Sequence, residues 1–274
     1  MKLTELLTEN YKDIEKKDIL KTNSVDTSLA LNLLLEKCEE FFSPVEGFST
    51  ESDRMYKYAK KLVRKLHFTK EDITHFSFHL EKFISEIFFG QVGLFISALI
   101  NQDYEINKTV EKEITQSEKK SVIPYQEKSA IESQEKSIIK SQETYIIHTM
   151  VTEKYIDRIG YENNGANILV VGNVGDFTAH GMNNGTITVQ GKAESHFGYF
   201  MQGGILTVER ARCFLGCQMD NGKIYVNHAG GMVGHGMRAG EIHIEVDYAS
   251  FGQEITGTIF YRGEKVRDSK RKKE

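Results

Sequence analysis

Two hydrophobic periodicities divide the chain. From residue 1 to about 102, apolar positions recur every three to four residues, which predicts helices. Leu3, Leu6, Leu7, Tyr11 and Ile14 make one stripe within Leu3–Leu20, with lysine and glutamate elsewhere. A second predicted helix, Ser28–Phe42, ends before Ser43 and Pro44, because a residue preceding proline resists the α region. Ser52 or Asp53 can cap a third, Arg54–Leu66. Thr69 with Asp72 three residues on, after the apolar Phe68, reads as a capping box that opens a fourth. That helix is expected to run through HFSFHLEKFISEIFF and to break or bend near Gly90 or Gly93.

From Asn163 to Arg262 the period changes to alternation inside a longer repeat. MNNGTITV, MQGGILTV, MDNGKIYV and MRAGEIHI align on Met182, Met201, Met219 and Met237, each followed three residues later by Gly185, Gly204, Gly222 or Gly240. Ile187 and Val189, Leu206 and Val208, Ile224 and Val226, and Ile242 and Ile244 then alternate with polar residues, the pattern of a half-buried strand. Ala179, Gly198, Gly216 and Gly234 stand three residues before the methionines. Gly252 before Ile255 marks a degenerate fifth copy, and Gly257 to Tyr261 a partial sixth. The spacings of 19, 18 and 18 residues predict stacked units rather than a globular mosaic. One unit cannot bury its own apolar face; stacking places the isoleucines in one interior column and the valines in another. Phe197, Leu215, Val233 and Phe251 supply a third column, and the methionines, which fill irregular space well, a fourth. The glycines suit turns with positive φ.

Between these regions, 103–144 contains QEKSAIES, QEKSIIKS and QETYIIHT, an eight-residue unit that fits neither a helix stripe nor a heptad. It reads as a flexible low-complexity linker, with YIIHTM entering the next segment as a strand. The expected organisation is therefore a helical domain (1–102), a linker (103–144), a β-solenoid of about six coils (145–265) and a basic tail, RDSKRKKE, within 266–274 that blunts the last coil.

Composition sharpens the division. Of 23 glycines, 20 lie between Gly160 and Gly263. The net charge of -4 announces neither nucleic acid nor a membrane surface. Three cysteines and no secretory leader lead to an expected cytoplasmic location. The apolar run 83–100 contains Glu86, Gln91 and two glycines, so it reads as a buried core helix and no membrane span is expected.

The run GHGMRAGEIHIE, Gly234–Glu245, with the copies AHGMNNGTITVQG and GCQMDNGKIYVN, resembles the GXGXG-type β-helix domain. That domain occurs at the carboxyl end of the glutamate synthase large (alpha) subunit and forms one of the subunits of formylmethanofuran dehydrogenase. The resemblance covers roughly 160–262 and implies a right-handed, single-stranded parallel β-helix. It further implies a bracing role beside catalytic domains rather than chemistry of the domain's own. The structural motif it marks comprises Met182, Gly185, Gly198, Met201, Gly204, Gly216, Met219, Gly222, Gly234, Gly236, Met237, Gly240 and Gly252. A helical segment ahead of such a domain also resembles uncharacterised archaeal proteins.

Stacked positions concentrate side chains. Two residues before each landmark stand His180, Tyr199, Cys217, His235 and Gln253, which places Cys217 and His235 on neighbouring rungs about 5 Å apart. With Cys213 they are the candidates for a metal or thiol site, and His196 and His228 add imidazoles on other columns. Against that, a column of polar residues arises in any solenoid, and no CxxC pair exists. His75 and His79, four apart, read as a helix face without a third ligand. HAGGMVGHG lacks the context of a nucleotide loop. No catalytic residue and no cofactor is expected. The sequence therefore points to a non-catalytic structural scaffold or assembly protein with a protein partner or homo-oligomer. The alternatives are an accessory subunit of an oxidoreductase complex and a small metal-binding or thiol protein.

Overall fold

The computed structural model describes residues 29–43, 51–85, 89–118 and 144–267. The predicted helix Leu3–Leu20, the octad repeats before Thr144 and the tail after 267 lie outside them. Among the described residues four α-helices precede the first strand: α1 (Leu29–Phe42), α2 (Ser52–Val63), α3 (Lys70–Ser77) and α4 (Val92–Glu118). α1 and α2 occupy the expected stretches. α3 opens on the expected capping box: Thr69 Oγ1 accepts from the Asp72 amide at 3.2 Å, and the Thr69 amide donates to Asp72 Oδ2 at 2.9 Å.

The chain departs from expectation after α3. The helix stops at Ser77 instead of running on, and two 3-10 turns, Leu80–Phe83 and Phe89–Gln91, separate it from α4. Gly93 lies inside the first turn of α4. A Cβ there would overlap the Asp157 carbonyl oxygen, and one on Gly90 would press on the Asp157 carboxylate, so these glycines serve close approach. Residues 92–100 are all buried, as a core helix requires. Among the described residues no helix is long and apolar enough to cross a membrane. α4 continues to Glu118, which corrects the expected linker start at 103. Its middle is held by long-range contacts that the local pattern does not encode: Tyr145 donates to the buried Asp103 carboxylate at 2.8 Å.

The second half of the chain is a parallel β-solenoid. Strands β1 (Thr144–His148), β2 (Asn164–Val171), β3 (Asn184–Ala193), β4 (Ile205–Cys213), β5 (Lys223–Gly231), β6 (Glu241–Tyr248) and β7 (Thr258–Tyr261) pair in sequence order, each parallel to the next. The expected columns form in register. Ile168, Ile187, Leu206, Ile224, Ile242 and Ile259 stack in one, and Val170, Val189, Val208, Val226 and Ile244 in the next, all buried. Phe197, Leu215 and Val233 are buried too, while Phe251, near the end, is half-buried.

Methionine and glycine interlock between coils. Met182, Met201, Met219 and Met237 are fully buried. A Cβ on Gly204, Gly222 or Gly240 would lie 2.5, 2.5 or 2.6 Å from the methyl carbon of the methionine one coil earlier. Those glycines also sit at φ of 87°, 98° and 89°, where side chains are strained. The motif spacing is therefore a contact between coils.

The corners hold what the glycine count concealed. Positive φ recurs at alternate residues in each: Arg158, Gly160 and Glu162; Phe177, Ala179 and Gly181; His196, Gly198 and Phe200; Phe214, Gly216 and Gln218; Met232, Gly234 and Gly236. Outer positions tolerate side chains because they point away from the core. The middle one faces inward, where a Cβ on Gly216 would come within 2.7 Å of Ile242 Cδ1. Gly252 differs, with no positive φ; it lets its corner approach the His235 backbone.

Both ends of the stack are closed. β8 (Glu264–Arg267) folds back antiparallel on β7, so the solenoid extends past the expected limit of 265 and ends in a hairpin. At the other end the helices cover the first coil. Ser77 Oγ accepts from the His148 amide at 3.0 Å, and Ser97 Oγ from the Tyr161 amide at 3.2 Å. The Asp157 amide donates to the Gly90 carbonyl at 2.9 Å. Helices and solenoid share one hydrophobic core.

Candidate interaction site

The backbone confirms the register of the column that holds the candidate ligands. Amides of Gly181, Phe200, Gln218 and Gly236 donate in turn to the carbonyls of Tyr199, Cys217, His235 and Gln253, at 2.8 to 3.1 Å. The side chains do not converge. His180 stacks on Tyr161 with ring centres 5.0 Å apart. His235 Nδ1 accepts the Gln253 amide at 3.2 Å. Cys217 is buried, and burial pushes its thiol up, away from the thiolate a nucleophile or metal ligand needs. Cys213 turns to Ser195, with Sγ 3.0 Å from Oγ.

Other imidazoles are engaged as well. His196 is stacked between Phe177 and Phe214, with ring centres 4.6 and 4.8 Å away and its plane nearly parallel to both. Burial lowers the pKa of His180 and His196, which favours the neutral ring. His228 Nδ1 meets Asp247 at 3.0 Å. His79 Nδ1 donates to the His75 carbonyl at 3.0 Å, which fixes it along its own helix. Among the described residues, no group of three or more His, Cys, Asp or Glu is placed to hold a metal ion.

A different site opens where the helices meet the first coil. α2 and α4 form the walls of a groove of about 800 Å³, with Glu162 and Asn164 at its solenoid end. Tyr56, Lys60 and Arg64 recur every four residues along one wall, and Ala98, Gln102, Ile106 and Val110 along the other. Residues four apart share a helix face, and Asn101, Glu105 and Thr109 add a second row on α4. The polar groups of the floor are satisfied within the protein. Asn101 Nδ2 donates to Tyr56 Oη at 2.6 Å and to the Tyr161 carbonyl at 3.2 Å, while Gln102 Nε2 donates to the Val63 carbonyl at 2.8 Å. Burial pushes the Tyr56 hydroxyl up to about 12, so it stays protonated.

The walls, in contrast, are unfinished. Ile106 and Val110 are 52% and 47% exposed, on a helix that is fully buried one and a half turns earlier. Lys60 and Arg64 line the α2 side and Glu105 the α4 side, and Lys60 Nζ lies 4.0 Å from the carboxylate of Glu162 at the solenoid end. An apolar trough between two helices with charged edges has the form that receives an amphipathic helix. Ile106 and Val110 fell within the stretch expected to be a linker; the four-residue row beginning at Ala98 was the signal that could have found them.

No family model, curated protein or solved structure matches the chain.

Proposed function

We propose that the protein is a non-catalytic docking scaffold: a rigid solenoid frame joined to a helical cap that presents a binding groove. One observation carries this reading. The candidate thiols and imidazoles of the frame are engaged or buried: Cys213 with Ser195, His196 between two phenylalanines, His235 on the Gln253 amide, and Cys217 in the interior. Groups bound in this way stabilise stacking and leave no acid–base or ligand set converging on a substrate. The resemblance to the GXGXG-type domain agrees, since that domain braces its neighbours. No feature of the described residues favours an oxidoreductase partner over another protein.

The test is recovery of the tagged chain from its own host under gentle conditions, with mass measured by light scattering. A stoichiometric partner or a defined self-assembly supports the scaffold, and Ile106→Glu is expected to weaken that assembly at least tenfold. A monomer recovered alone at cellular concentration overturns it.

A further inference from the structure

A second concave surface lies on the solenoid itself, over the ends of β3, β4 and β5. Ala193, Ala211 and Ala229 stack in register there and are buried. Alternation along a strand leaves a residue on either side of each alanine for the outer face. Lys192, Arg210 and His228 form the row before the alanines, one per coil. Glu194 and Arg212 form the row after them, and Gly230 leaves its third place open. Between the rows runs a furrow of about 350 Å³ floored by the alanines.

The cations of the first row are not neutralised from within the protein. Successive strands lie about 4.8 Å apart, so Lys192 and Arg210 are adjacent like charges, which destabilises a sheet. Among the described residues no carboxylate lies within ion-pair distance of either one. The acidic groups nearby are committed elsewhere. Glu194 accepts from Arg212 at 2.9 Å, Glu209 accepts from Asn227 at 2.6 Å, and Asp247 meets His228 at 3.0 Å. Arg212 spends Nη1 on Glu194, which leaves the rest of its fork to face the furrow.

We propose that this furrow binds a phosphate group, held by Arg210 and Lys192 from one wall and by Arg212 from the other. A guanidinium offers paired N–H donors at the spacing of phosphate oxygens, and an ammonium adds a compact point charge. Small-molecule sites measure about 300–1,000 Å³, so a furrow at the lower end of that range has room for a phosphate and a few further atoms. The ligand class is therefore a small phosphomonoester or the free anion. Binding here needs neither a protein partner nor the groove between α2 and α4, so the proposal is independent of the scaffold reading.

Calorimetric titration of the full-length chain at fixed ionic strength tests it, with inorganic phosphate and glycerol 3-phosphate as probes. One saturable site in the submillimolar range is expected for at least one of them. Tighter binding of glycerol 3-phosphate assigns the furrow to an ester, and equal affinity to the free anion; either supports the proposal. Arg210→Gln is expected to weaken the site at least tenfold, and Glu194→Gln, which releases Arg212, to tighten it several-fold. Lys223→Gln removes a cation that is paired with Glu241 on another column, and is expected to change nothing. Absence of saturable binding for both probes overturns the proposal. So does a loss in Arg210→Gln no larger than in Lys223→Gln, which would show only diffuse attraction to the surface. Arg210 is exposed, so its substitution is expected to leave the melting temperature unchanged.

Discussion

Between Met182 and Met237 each coil passes its polar backbone groups to the next coil's backbone, whereas the first coil passes several of its own to the helices. In the body, the amides of Gln202, Asp220 and Arg238 donate at 2.8 Å to the carbonyls of Met182, Met201 and Met219. At the first coil the hydroxyl of Ser77 accepts the His148 amide, that of Ser97 shares the Tyr161 amide with the Arg158 carbonyl, and Asn101 donates to the Tyr161 carbonyl. The landmark position itself changes: Asn163 replaces methionine, and its carboxamide bridges the amide and carbonyl of Ala166 at 3.0 and 2.8 Å. A repeat can satisfy its own interior because each unit is the template for the next. Its end has no such neighbour and needs side chains placed individually.

The sharpest way to break this contrast is Gly93→Ala, because the added methyl would overlap backbone at the helix–coil contact. Overpacking of this kind costs about 3 kcal/mol or more. Helical circular dichroism is expected to be lost at lower denaturant than the strand signal; coincident transitions at the parental midpoint would show that cap and frame do not separate. Within the frame, Met219→Ala is expected to cost about 3 kcal/mol, as buried methionine truncations do. The interlock adds a specific consequence. Gly240→Ala should cost about 1 kcal/mol less in the Met219→Ala background, since the methyl it meets is gone. Additive effects in denaturation would remove the interlock as the reason for the spacing. Ser97→Ala, which removes the hydroxyl that shares the Tyr161 amide with the Arg158 carbonyl, is expected to cost about 1 kcal/mol. Ser195→Ala, away from the cap, should cost less than half as much.

The smallest expected effect depends on pH. Burial lowers His148, His180 and His196 from the ordinary imidazole value of about 6.5. Below that value the unfolded chain binds protons that the folded chain refuses, so stability rises with pH across the window. It is fully present above 6.5 and is lost as pH falls through the folded values. His196→Phe, which puts at this stacked position the residue found in the coils before and after, should flatten the melting temperature between pH 5 and 6.5 relative to the parent. An unchanged slope would exclude His196 from the effect.

The middle coils were legible because every unit writes the same contacts. Alternation named the strands, and the spacing from Met182 to Met237 set their register. The methionine–glycine pairs were visible as a motif but not as a contact, because the partners lie about 20 residues apart on successive coils. The corners were read only through their glycines. Phe177, His196, Phe214 and Gln218 also take positive φ, and nothing in their local sequence distinguishes them from residues in ordinary turns. Among candidate ligands, the register of Cys217 and His235 was readable and the direction of their side chains was not.

What the sequence determined by itself is the solenoid: its period, its interior columns and the helical character of the segment before it. Each follows from a pattern that recurs within a few residues or from unit to unit. The tertiary structure decided where α4 ends, how the first coil is closed and where the groove lies. Those features depend on single long-range pairs, such as Asp103 with Tyr145, Gly93 with Asp157 and Ser97 with Tyr161. Each pair occurs once, so no period announces it, and only the folded chain brings its members together.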